Sequence, residues 1–126
     1  MKVNGREIRF KRTIWAQFGV ASLCPDNDIS KLDSVLKSNF VDGNMAAASF
    51  VCIMSEAYEK SKEFEAAQSG KTYEARPLTL DEVMNLERME DLQELFKEAV
   101  DVWAADAKTS VKGEPPKGKK KIKAAE

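Results

Sequence analysis

Two cysteines are the side chains of this chain best suited to covalent chemistry, because a thiolate is a strong nucleophile. They are Cys24 and Cys52, and the 126 residues include no histidine that could activate either thiol. Their spacing matches no metal-ligand pattern. We therefore expect two small core residues in a reducing compartment, and no catalytic residue, metal or cofactor.

Two other segments match ligand-binding motifs only in part. Ser69-Gly70-Lys71-Thr72 resembles the end of a phosphate-binding P-loop, but Glu65 occupies the position of that motif's first glycine. Residues 26–30 have the alternating spacing of a calcium loop, but Lys31 occupies its glycine position. The end of a helix explains the first segment better, and helix capping explains the second. The sequence therefore predicts a protein that is not an enzyme.

The charges divide the chain into three parts, although the formal net charge is only −1. Residues 1–25 carry five basic side chains and one acidic one, residues 26–107 carry eight and 18, and residues 108–126 carry seven and two. An acidic body (−10) thus lies between two basic ends (+4 and +5). The last part includes Lys117, Lys119, Lys120, Lys121 and Lys123. Its few apolar residues predict a flexible, lysine-rich tail.

Length and composition indicate one folded domain, which we assign to residues 1–107. Hydrophobic residues make up 43% of the chain, an ordinary value for a globular domain with a core. No apolar run reaches the roughly 18 residues of a membrane span, so no membrane partner is expected. The first residues do not have the pattern of a secretory leader.

The start of the chain predicts a β-hairpin. Asn4-Gly5 is a strong type I′ turn signal, because both residues tolerate a positive φ. A two-residue turn pairs Val3 with Arg6 and Lys2 with Glu7. This hairpin needs another element to pack on, since an isolated hairpin is only marginally stable. Its apolar face consists of Met1, Val3, Ile8 and Phe10.

Apolar periodicity predicts about five helices after the hairpin, which makes the fold mainly α (α+β) with a disordered basic C-terminal tail. The predicted spans are 14–23, 28–38, 45–68, a fourth beginning at 80, and 91–108. Thr13 is expected to cap the first helix, and Asp26 or Asn27 the second. Residues 42–44 are expected to form a turn. Apolar stripes are predicted at Ile14, Trp15, Phe18 and Leu23, and at Leu92, Leu95, Phe96, Ala99 and Trp103.

The longest predicted helix is apolar nearly all round in its first half, from Met45 to Met54. A helix of this kind is either buried or in contact with a partner. Aromatic residues and methionines on the two longest helices are therefore candidate partner contacts. These candidates are Phe50, Met54, Tyr58, Phe96 and Trp103. The alternative interpretation, which a domain this small favours for each of them, is that they are core residues.

The order of the segments carries more information than any one motif. A hairpin over residues 2–10 leads into a helix, and a central helical pair follows. Then come Pro77-Leu78-Thr79-Leu80-Asp81-Glu82-Val83, in which Thr79 and Glu82 form a capping box, and Met89-Glu90-Asp91-Leu92-Gln93-Glu94-Leu95. The chain ends in the lysine-rich tail. This order resembles the tail assembly chaperones of long-tailed bacteriophages, in particular the small helical ones of siphophages and related prophages. The similarity covers nearly the whole chain.

The resemblance implies a non-enzymatic chaperone that binds the aggregation-prone tape measure protein and helps the tail tube protein assemble around it. It also implies synthesis in the host cytoplasm and absence from the mature virion. Many such chaperones have a longer, frameshifted form, and the three lysines at 119–121 are compatible with an A-rich slippery run. An amphipathic helix of the partner would bind in an apolar groove.

Two other functions remain open from the sequence. One is a small structural adaptor of the virion, such as a head-tail connector or a tail completion protein. The other is a helical protein associated with nucleic acid, whose residues 108–126 would contact phosphates. The acidic body and the lack of an aromatic residue after Trp103 disfavour this second function. Self-association is also left open.

Overall fold

The computed structural model describes the backbone of residues 1–112 and the side chains of residues 1–105. An antiparallel hairpin of β1 (Lys2–Val3) and β2 (Arg6–Glu7) precedes five α-helices within this part of the chain. The helices are α1 (Ile14–Ala21), α2 (Leu32–Leu36), α3 (Phe40–Gln68), α4 (Leu80–Met84) and α5 (Met89–Lys112). The predicted mainly α fold with an N-terminal hairpin is confirmed.

The hairpin has the predicted turn and the predicted register. Asn4 and Gly5 have φ values of 51° and 80°, and Val3 pairs with Arg6 as Lys2 pairs with Glu7. The apolar face of the hairpin is directed inward, where Val3, Ile8 and Phe10 join the core. The backbone N–H of Lys11 then donates to the carbonyl of Met54 over 3.2 Å, which ties the end of the hairpin to α3.

Helix α3 is the centre of the fold, because α1, α2, α4 and α5 all contact it. From Ala46 to Met54 every residue of this helix is buried or half-buried, as its apolar pattern predicts. The core residues of this stretch are Ala46, Ala47, Ala48, Phe50, Val51 and Met54. From α5, Leu92, Leu95 and Ala99 complete the core as predicted, while Phe96 and Trp103 pack at its edge.

The predicted turn at residues 42–44 is wrong, because these residues lie inside α3. Asn39 caps the helix and accepts a hydrogen bond from the backbone N–H of Asp42 over 2.8 Å, so α3 begins at Phe40. Gly43 is needed here for space: a Cβ at this position would lie 2.7 Å from the carbonyl oxygen of Leu36. The glycine that resembles a turn signal in the sequence therefore permits close contact between α3 and the end of α2.

Replacing Gly43 by alanine is expected to lower the free energy of unfolding by about 1–3 kcal/mol, because the added methyl group meets a backbone oxygen that has little freedom to move. Chemical denaturation measures this loss. The control is Ser49→Ala in the same helix, which adds helix propensity without a clash and should leave stability unchanged or slightly higher. Equal stability of the Gly43→Ala variant and the wild type would contradict the close contact.

The predicted apolar stripe of α1 is also wrong in its orientation. Ala16 and Val20 are buried against α3, and Leu23 is half-buried, whereas Ile14, Trp15 and Phe18 are exposed. The reason is a close approach of the two helices, since a Cβ at Gly19 would lie only 3.0 Å from the Ile53 side chain. Small residues form the contact, and the large side chains are left outside.

Replacing the exposed Phe18 by serine should therefore change the free energy of unfolding by less than about 0.5 kcal/mol. The smaller change Val20→Ala, on the buried face of the same helix, should cost about 1–2 kcal/mol. Thermal or urea denaturation of the two variants distinguishes the faces. A larger loss of unfolding free energy from Phe18→Ser than from Val20→Ala would show that the aromatic face of α1 is the buried one.

The connection from α1 to α3 differs in detail from the predicted single helix at 28–38. Two 3₁₀ turns, Pro25–Asn27 and Ile29–Lys31, precede the short α2. Asp26 and Asn27 adopt left-handed backbone conformations, with φ values of 58° and 55°, and cap no helix. Asp28 has the capping role instead, because its side chain accepts from the Ser30 backbone N–H over 3.0 Å.

The remaining helix ends follow the sequence signals. Thr13 caps α1 by accepting from the Ala16 N–H, and Gly70, with a φ of 73°, follows the end of α3. Helix α5 extends to Lys112, four residues past the predicted end and just before Gly113. The tail lysines Lys117, Lys119, Lys120, Lys121 and Lys123 lie outside the described residues. Within the described residues, no helix is long and apolar enough to cross a membrane.

Candidate functional site

Of the two cysteines expected in the core, Cys24 is buried and Cys52 is only partly so. Both thiols are free, Cys24 in the core and Cys52 half-buried on α3. Burial raises the pKa of both thiols, and that of Cys52 reaches about 12, with Glu82 and Glu56 adding to the shift. Both thiols are therefore protonated at neutral pH. Among the side chains of residues 1–105, no cluster of acidic or cysteine residues has the arrangement of a metal site.

The five candidate partner contacts occupy two different environments. Phe50 and Met54 are 1% and 0% exposed, so they are core residues that present no surface to a partner. Tyr58, Phe96 and Trp103 are half-buried. The Phe50 ring makes edge-to-face contacts with Phe96 and Trp103, at centroid distances of 5.7 and 5.5 Å. These contacts join α3 to α5, which gives the aromatic residues a structural role.

An exposed apolar concavity lies at the other end of the α3–α5 pair. It is a groove of about 410 Å³ between the first two turns of α3, the end of α4 with the connection that follows it, and the start of α5. We call it the methionine groove. Its lining is Phe40, Val41, Asn44, Met45, Val83, Met84, Leu86, Glu87, Arg88, Met89 and Leu92.

The methionine groove exposes large apolar side chains in a contiguous patch. Phe40 and Val41 are 70% and 64% exposed, although they begin the most buried helix of the protein. Met45, Met84 and Met89 are exposed as well. Methionine side chains are flexible and polarizable, so they adapt to apolar partners of different shape. Contiguous exposed apolar patches of this kind typically mark interaction sites.

One wall of the groove is held in place by a network around Glu82, which we call the Glu82 clasp. Arg6 donates from both terminal nitrogens to the Glu82 carboxylate, over 2.8 and 3.1 Å, and Asn4 donates over 2.8 Å. The backbone N–H of Thr79 also donates to Glu82, and the Thr79 hydroxyl accepts from the Glu82 N–H. The predicted capping box is confirmed, and it also anchors the hairpin to α4.

The clasp depends on the charge of Glu82. The hydrogen bonds from Arg6, together with the N–H of Thr79 and the amide of Asn4, hold the pKa of this carboxyl well below its ordinary value. Both side chains of the ion pair are mostly buried, so solvent screens the interaction less than on an open surface. Since α4 supplies groove residues directly after Glu82, the clasp fixes the position of that wall.

The segment before α4 is tied to α3 in the same way. The Ser55 hydroxyl, buried in α3, accepts from the backbone N–H of Leu78 over 2.9 Å. One oxygen of Glu59 accepts from the Tyr73 hydroxyl and from the Arg76 N–H, both over 2.9 Å. Side chains of α3 thus fix the segment between α3 and α4, and this places Thr79 at the N-cap position of α4.

Glu82→Gln is expected to lower the free energy of unfolding at pH 7 by about 2 kcal/mol, because it removes a charge-assisted pair with Arg6. The folded-state pKa is depressed, so this contribution is complete above the unfolded-state pKa of about 4.3 and decreases as the pH falls further. Urea denaturation of wild type and variant should therefore show a difference that narrows from about pH 5 to pH 2.

The control for the clasp is Glu63→Gln, because Glu63 is exposed on α3 and no ion pair joins it to another described residue. This variant should have the free energy of unfolding of the wild type at pH 7 and at about pH 2. A Glu82→Gln variant with the same stability as the Glu63→Gln control at pH 7 would contradict the clasp.

A second exposed apolar surface lies on α1, away from the groove. Ile14 and Phe18 are 69% and 74% exposed, and Trp15 lies beside them under the ammonium group of Lys60, 5.4 Å from the ring centroid. This cation–π contact holds the indole ring against α3. The surface is convex, because it is the outer side of a single helix.

Sequence reasoning missed the groove because its residues come from three separate helices. The signals that could have indicated part of it were the apolar Phe40 and Val41 directly after a capping asparagine, and the closely spaced Met84 and Met89. The buried Phe50 and Met54 were more conspicuous in the sequence, since they belong to the longest apolar run.

Comparison of the chain with protein-family models, with curated proteins and with solved structures gives no significant match.

Proposed function

We propose that this chain is a phage tail assembly chaperone, which binds a helical segment of the tape measure protein in the methionine groove. The observation that carries the proposal is the groove itself: a concave, methionine-lined apolar surface that remains exposed in a folded domain with an otherwise complete core. Grooves of this type bind the apolar face of an amphipathic helix.

The order of the elements supports the same function. The hairpin, the central helix and the capped α4 followed by α5 match the pattern in which the sequence resembles tail assembly chaperones. In this proposal the protein acts in the host cytoplasm, shields apolar helices of the tape measure protein until tail tube protein surrounds them, and leaves before the virion is complete. The exposed methionines would accommodate several helical segments of one long partner.

Co-expression with the tape measure protein of the same phage or prophage tests this function. The wild type should raise the soluble fraction of that protein and co-purify with it. Val41→Glu should abolish both effects, because it places a charge in the groove, while an acidic residue in the first turn of α3 leaves the helix stable.

The matched control is Ile14→Glu, which introduces the same charge at another exposed apolar position in the first turn of a helix, on the α1 surface. This variant should bind as the wild type does. The proposal fails if the wild type neither solubilises nor binds the tape measure protein, or if Val41→Glu binds as well as Ile14→Glu.

A structural adaptor of the virion is the second candidate, because the exposed α1 surface would give the chain a second contact separate from the groove. An adaptor that joins two virion proteins uses two such surfaces at once. Mass spectrometry of purified particles separates the two functions: a stoichiometric amount of the chain in mature virions favours the adaptor, and its absence favours the chaperone.

A further inference from the structure

The walls of the methionine groove are almost free of basic residues. Residues 40–45, which line the groove from α3, include one acidic side chain, Asp42, and no basic one. Residues 80–94, which include α4 and the start of α5, include six acidic side chains and a single basic one, Arg88. The acidic residues of this second segment are Asp81, Glu82, Glu87, Glu90, Asp91 and Glu94.

The few cations near the groove are already paired. Arg88 lies 3.8 Å from the Glu90 carboxylate, and Arg6 is held by Glu82 in the clasp. Glu87 lines the groove directly, and within the described residues no ion pair joins it to a cation. Arg88 also lines the groove, but Glu90 engages it. Glu87 and the other acidic residues of the lining segments therefore leave a net negative charge beside the apolar floor, which we call the acidic rim.

This combination selects one kind of helix. An acidic rim attracts a cationic segment during encounter and repels an anionic one, while the apolar floor provides the buried contact. We infer that the occupant of the groove is an amphipathic helix whose polar face is rich in lysine and arginine. This inference rests on the proposed function and narrows it, because it specifies the charge of the helix that the partner contributes.

Two synthetic peptides of about 18 residues test the charge of the occupant. Both carry leucines at the same helical spacing, and their polar positions are filled with lysine in one peptide and with glutamate in the other. Fluorescence anisotropy with the full-length chain should show that the lysine peptide binds at least about tenfold more tightly at low salt. This preference should shrink at about 0.5 M salt, where charges are screened beyond a few ångströms.

The variant Glu87→Lys connects the preference to the groove. It should reduce the ratio of the two affinities several-fold, because it replaces a negative charge that lines the groove by a positive one. Glu63→Lys is the matched control, with the same change of charge at an exposed position of α3. Position 63 lies 18 residues beyond Met45, about 27 Å along the helix, and the ratio should stay as in the wild type.

The outcomes separate this inference from the proposed function. If both peptides bind equally well, the acidic rim does not select the occupant, while the groove remains a helix-binding site. If neither peptide binds, the helix-binding groove fails together with the inference. An equal effect of Glu87→Lys and Glu63→Lys would also overturn the inference, because the preference would then reflect the net charge of the chain.

Two other occupants would also overturn it. A peptide with the sequence of residues 113–126 that displaces the lysine probe at comparable concentration would identify the chain's own lysine-rich segment as the occupant. Sedimentation that shows stable association of the chain with itself, abolished by Val41→Glu and retained in Ile14→Glu, would identify a second copy.

Discussion

The first half of α3 is apolar on nearly all sides, and the rest of the structure follows from the need to cover it. A helix cannot bury its whole circumference against one neighbour, so several short elements surround it. The hairpin, α1, α2, α4 and α5 all contribute to this cover, although α2 and α4 supply only one core side chain each, Leu32 and Val83. The close contacts at Gly19 and Gly43 show how tightly α1 and α2 approach the central helix.

Elements this short do not hold their positions by hydrophobic burial alone. Helix α4 has five residues and the hairpin strands have two each, so polar contacts with fixed geometry orient them. Glu82 provides these contacts for both elements, because it caps α4 and binds the turn and the second strand of the hairpin. A single carboxylate thereby connects positions 4 and 6 with position 79, more than 70 residues further along the sequence.

Most features that depend on neighbouring residues were predicted correctly, although Asp28 has the capping role expected of Asp26 or Asn27, and features that depend on contacts between distant residues were missed. The type I′ turn at Asn4-Gly5, the Thr13 cap and the Thr79–Glu82 capping box are local, and all three are confirmed. The predicted turn at 42–44 was wrong because Gly43 lies inside α3, where it leaves space for the end of α2. The predicted buried face of α1 was wrong because small residues pack against α3 and the large apolar ones are exposed. The groove is assembled from three helices, so no single segment indicates it.

The position of the methionine groove follows from the same geometry. Near the N-terminal end of α3 the end of α2 packs against Gly43, and the groove at this end is bordered by α4 and the beginning of α5, which do not close over Phe40 and Val41. The wall that α4 provides is fixed by the Glu82 clasp, so the hairpin at the start of the chain stabilises the shape of a surface it does not line. The domain buries Phe50 and Met54 completely and yet leaves Phe40, Val41 and three methionines exposed at the groove, which is the contrast on which the proposed binding of another chain's helix depends.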